Sequence, residues 1–116
     1  MAERLSPNLV APTGAVFRPE FAVDEELFQA LAGQWRKETA HHSLMFKKAM
    51  HPLYQRIIGL GWGVTPLILK DLQTRPGGHW FWALEAVTGE NPAAALESLD
   101  EAIQAWLNWG KERGYL

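Results

Sequence analysis

The sequence predicts an all-α protein, a compact bundle of five or six helices with one helical hairpin and an extended N-terminal arm. Three observations predict it. No stretch alternates apolar and polar residues with the two-residue period of a half-buried strand. Apolar residues recur instead at three- and four-residue spacing, as they do along one face of a helix. Each such stretch is bounded by capping residues, prolines and glycines in the order that starts and stops helices.

The first segment, residues 1–23, holds Pro7, Pro12 and Pro19 and no sustained period, so it reads as an extended arm. Residues 24–116 read as a single helical domain. Asp24 offers an N-cap oxygen, and Glu25 and Glu26 suit the positive end of a helix. Leu27, Phe28, Leu31 and Trp35 then form one stripe. Continued past His42, the stripe would resume with Met45, Phe46 and Ala49, with Glu38 and His42 filling the gap; the alternative is a break near His41 to Ser43. In either case Pro52 limits the region, because the residue before a proline is pushed away from helical geometry.

Pro52 suits the first turn of a new helix, with Leu53, Tyr54, Ile57 and Ile58 as its apolar face and Gly59 and Gly61 as its stop. Thr65 and Pro66 repeat that start. Leu67, Ile68, Leu69 and Leu72 make the next helix strongly apolar, and it ends near Arg75 to Gly78. A helix from about His79 to Thr88 stops on Gly89. The last begins at Ser98, where the serine hydroxyl and Glu101 have the spacing of a capping box, and carries Leu99, Ile103, Trp106, Leu107 and Gly110 along one stripe.

Composition narrows the functional classes. At 116 residues the chain fits one domain with one core, and 47% hydrophobic with 21% charged residues is ordinary globular composition. A net charge of -2 gives no attractive field for a polyanion, and the basic residues are scattered, so no nucleic-acid partner is expected. The absence of cysteine removes disulfides, thiolate metal sites and thiol catalysis. No apolar stretch matches a signal peptide or a membrane span, which predicts a cytoplasmic protein without a membrane partner.

Leu60, Gly61, Val64, Pro66, Leu67 and Leu72 are similar to the turn between paired helices in HEAT-like repeat proteins, where Leu-Gly ends one helix and proline opens the next. The pattern occurs once, so the resemblance implies one embedded hairpin rather than an array. More broadly, "HPLYQRIIGLG", "PLILKDL", "GGHWFWALEAVTGENP" and "AWLNWGKERGY" together resemble a group of small, functionally uncharacterised bacterial all-helical proteins. That resemblance spans about Trp35 to Tyr115. It implies a fold and brings no activity or site residues.

Two groups of residues are candidates for function. Glu38 and His42, four apart, would be neighbours on one helix, as a buried structural pair or an acid–base pair would be. With no third ligand at metal spacing, a structural pair is the plainer reading, and neither a metal nor a cofactor is expected. Gly77 and Gly78 match neither a dinucleotide fingerprint nor a phosphate-binding loop and read as a turn.

The second group is aromatic. Trp80, Phe81 and Trp82 are adjacent, and three successive side chains on a helix cannot all face one core. Either the helix is surrounded or an off-stripe ring lies at the surface. Trp62 and Trp109 also fall off their stripes or beside glycines, and six tryptophans are many for this length. Tryptophan is enriched at binding hot spots, so Phe81, Trp82, Trp62 and Trp109 are the expected partner-binding residues. The function expected is therefore a non-enzymatic protein-binding module, such as an adaptor, regulator or antitoxin-like protein, that engages another protein or itself. The alternatives are a metal-dependent or acid–base enzyme using Glu38 and His42, and a DNA-binding regulator.

Overall fold

The computed structural model describes residues 23–116. The arm expected over residues 1–23 lies, apart from Val23, outside the described residues. Six α-helices follow in order: α1 Glu25–Glu38, α2 Met45–Ala49, α3 Pro52–Gly59, α4 Thr65–Thr74, α5 Phe81–Thr88 and α6 Leu99–Glu112. A short 3-10 turn, Gly61–Val64, joins α3 to α4, and there is no strand among the described residues.

The helix boundaries have local causes. Asp24 caps α1 by accepting from the Glu26 N–H at 3.0 Å. The helix ends at Thr39, whose hydroxyl folds back to donate to the Trp35 carbonyl at 2.8 Å. Pro52 takes the first position of α3, and His51 caps it through Nδ1, which accepts from the Leu53 N–H at 3.1 Å. Gly89 closes α5 with φ at 73°, a conformation that suits a residue without Cβ.

One expectation at a helix start needs correction. Ser98 accepts from the Glu101 N–H at 3.0 Å, but the return bond of a capping box does not form. The start expected at Thr65 and Pro66 is formed, with α4 beginning at Thr65 and the proline in its first turn. The 3-10 turn runs directly into that helix, and the Thr65 hydroxyl is buried without a hydrogen-bond partner.

The core is one cluster to which every helix contributes. Helix α1 packs on α3, α3 on α5, and α4 on both α5 and α6. At its centre four rings meet: Trp35 and Tyr54 lie 5.1 Å apart between centroids, Trp35 and Trp80 5.2 Å, Tyr54 and Trp80 5.6 Å, and Phe28 and Trp80 5.7 Å. Each buried ring removes about 150–250 Å² from water, which makes this quartet the main apolar contribution of the interior. A second ring group, Trp62, Trp106, Trp109 and Tyr115, closes the α6 end. There α4 and α6 approach closely at Gly110, where a Cβ would stand 2.7 Å from Leu69 Cδ1.

Candidate functional site

The buried rings carry polar atoms that also need partners, and those partners position the surface. Asp71 lies on α4 among Ile68, Leu69 and Leu72 and is only 3% exposed. Its Oδ2 accepts from Trp80 Nε1 at 2.7 Å and from Arg36 at 3.2 Å, and its Oδ1 accepts from Arg75 at 2.9 Å. One carboxylate thus ties α1, α4 and the start of α5 together. A buried carboxylate is tolerable with this much compensation.

Tyr54 does comparable work from α3. Its hydroxyl donates to the His79 carbonyl at 2.8 Å and accepts from the Ala83 N–H at 2.9 Å, so it serves two backbone groups at the α5 start. Burial pushes its phenol pKa above the ordinary value, which keeps the donor proton in place. With Trp80 and Ala83 held from within, the register of α5 is set, and the residues between them turn outward.

Phe81 is half-buried beside a groove of about 390 Å³ that Leu99 and Trp106 also line. Trp82 points to solvent, 41% exposed. Of the two arrangements open to three adjacent aromatics, the structure adopts the one with a ring at the surface. Trp82 meets Phe46 of α2, ring centroids 6.0 Å apart, and Phe46 is 60% exposed. Met50, one helical turn beyond Phe46, and Leu44, at the start of α2, are exposed as well. Two flexible apolar side chains and two rings therefore stand on one short helix and the helix start beside it, with Lys47 exposed among them.

Two of the expected partner-binding residues are not at the surface. Trp62 is buried and stacked on Tyr115 at 6.3 Å. Trp109 is buried edge-on against Trp106, and its Nε1 donates to Glu90 Oε1 at 3.2 Å. Arg113 lies 5.1 Å over the Trp109 ring and bonds the same Glu90 oxygen at 2.8 Å. The α6 end absorbs both indoles because it closes on itself around Tyr115.

The pair expected between Glu38 and His42 does not form. Helix α1 ends before His42 joins it, so the two never share a helical face. The His42 N–H donates to the Thr39 carbonyl at 3.0 Å, and its ring lies 4.2 Å from that of His41. Glu38 is exposed rather than buried; it accepts from Gln34 at 2.6 Å and meets His51 Nε2 at 2.8 Å. Because His51 Nδ1 already accepts the Leu53 N–H, the ring donates through Nε2 to Glu38. The bonds from Gln34 and then His51 hold the Glu38 carboxyl below its usual pKa. This contact links the end of α1 to the cap of α3 and serves structure.

Among the described residues no group of three or more His, Asp or Glu is placed to hold a metal ion, and no helix is long and apolar enough to cross a membrane. No protein-family model, curated protein or solved structure matches the chain.

Helical spacing alone does not place Leu44, Phe46 and Met50 at the surface, nor Asp71 beneath the central rings. A helix continued past His42 would put Phe46 on the stripe of Trp35, whereas the break that the structure adopts after Glu38 leaves it outside. The readable signal was Leu44, Met45 and Phe46 in succession, three apolar residues that a short helix cannot bury together. For Asp71 it was an acid among Leu67, Ile68, Leu69 and Leu72, four residues before Arg75.

Proposed function

We propose that the protein is a non-enzymatic protein-binding module, an adaptor or regulator, that engages another protein or a second copy of itself through Leu44, Phe46, Met50 and Trp82. The observation that carries this reading is the Phe46–Trp82 ring pair, which is formed at the surface with 60% and 41% of the two residues exposed. Large rings concentrated on one face, rather than scattered singly, are what binding hot spots use. Lys47 between them supplies the polar component that such faces carry.

Sedimentation equilibrium of the full chain, with affinity capture of binding proteins, tests the reading. The native chain is expected to self-associate or to retain a specific partner. A Phe46→Ser, Trp82→Ser variant that folds normally is expected to lose that association by about tenfold or more, since two hot-spot side chains are each worth about 1–2 kcal/mol. Unchanged mass and unchanged retention in this variant would discard the reading.

A further inference from the structure

Between the last turn of α1, helix α2 and the turn before α5 lies a cavity of about 250 Å³ lined by Trp35, Arg36, Thr39, Lys48 and His79. Its walls hold three nitrogen-bearing cationic or titratable side chains and no carboxylate. Two of its polar groups are already committed. The Trp35 indole N–H donates to the Lys48 carbonyl at 2.8 Å, and the Thr39 hydroxyl to the Trp35 carbonyl at 2.8 Å.

The other three have capacity left. Arg36 gives one guanidinium nitrogen to Asp71, a carboxylate that also takes Arg75 and the Trp80 indole. Two guanidinium groups therefore share one negative charge. No described carboxylate pairs with Lys48. His79 Nε2 is buried with no hydrogen-bond partner. A buried ring nitrogen left unpartnered is uncommon and calls for an explanation.

We propose that this cavity binds a small oxyanion, the phosphate or carboxylate group of a ligand, held by the Lys48 ammonium and the remaining Arg36 N–H groups beside the His79 ring. Cationic donors from two separate helices and surplus positive charge, with no carboxylate in the wall, are the chemistry that oxyanion recognition needs. The cavity is smaller than the roughly 300–1,000 Å³ typical of sites for larger organic ligands, which suits a single anionic group. Lys48 lies on α2, the helix that also carries Phe46, yet the cavity and the apolar face share no residue.

His79 makes the site pH-sensitive. Burial first of all lowers its pKa; Asp71 opposes this, while Arg36, Lys48 and Arg75 add to it. A bound anion adds negative charge beside the ring and favours its protonated form. Binding therefore takes up a proton and tightens as the pH falls through the histidine range.

The test is a titration of the full chain with inorganic phosphate and, separately, acetate, followed by the imidazole nitrogen resonances. A saturable shift at His79 with at least one anion is expected; phosphate alone would assign a phosphate group, acetate alone a carboxylate. Lys48→Met is expected to weaken binding by about tenfold, the loss of one charge-assisted contact. Lys47→Met, on the same helix but outside the cavity, should leave it unchanged. Lys48→Met keeps the backbone carbonyl that Trp35 uses, so the fold is retained. No saturable shift with either anion up to about 50 mM, where a millimolar site would be filled, overturns the proposal. Equal weakening by Lys47→Met and Lys48→Met overturns it as well.

Discussion

Trp80 and Trp82 stand two residues apart at the start of one helix and have opposite fates. Trp80 is fully buried, ringed by Phe28, Trp35 and Tyr54, with its indole N–H on Asp71. Trp82 is exposed, and among the described residues its one ring contact is Phe46, itself exposed. The inner site supplies an acceptor as well as apolar walls, whereas the outer one supplies only another ring. For Trp80 the interior satisfies the indole N–H through Asp71, while Trp82 stays at the water boundary.

The largest test of that contrast is removal of the two rings. Trp80→Ala is expected to destabilise by about 4–5 kcal/mol, because it opens a large cavity and strips Asp71 of a donor. Trp82→Ala should stay within about 0.5 kcal/mol. Urea unfolding of both variants measures the difference, and similar costs would break the comparison.

The polar anchors come next. Asp71→Asn keeps the shape but places an amide against donors, and a loss of about 3 kcal/mol is expected because Arg36 and Arg75 can still reach water. Tyr54→Phe removes one hydroxyl that serves two backbone groups, for an expected loss of about 2 kcal/mol. Amide exchange at Ala83 should rise in that variant; unchanged protection would show that Tyr54 does not hold the start of α5.

A pH series sharpens the contrast from the charged side. His42 and His79 both have pKa values below the ordinary 6.5, chiefly from burial, so folding favours their neutral rings. The stability this contributes is full above about pH 6.5 and is lost as the pH falls through the lower folded values. The thermal midpoint is thus expected to fall between about pH 7 and pH 5. His79→Gln should flatten that slope, and an unaltered slope would exclude His79 as a cause. The smallest change is expected for Phe46→Ser, within about 0.5 kcal/mol by the same urea assay. A larger loss would mean that the outer pair supports the fold.

The secondary structure was legible because its determinants are local. Asp24, Pro52, Gly89 and Ser98 each act within a turn of their own position, and the structure uses all four as helix boundaries. The break near His41 could be stated only as an alternative. Which option wins depends on Thr39 folding back onto Trp35 and on where Trp35 itself is seated. Phe46 then falls outside the core, since the helical phase set by Leu31 and Trp35 stops at Thr39.

By itself the amino-acid sequence determined an all-helical chain, its punctuation and a surplus of aromatic rings, because periodicity and capping are read over a few residues. Only the tertiary structure decided which rings are interior. That choice depends on partners supplied by other elements: Asp71 for Trp80, Glu90 for Trp109, and Tyr115 beneath Trp62. Helical spacing shows which side chains share a face. It carries no information about whether an acceptor waits opposite that face, as Asp71 does for Trp80 and Glu90 for Trp109.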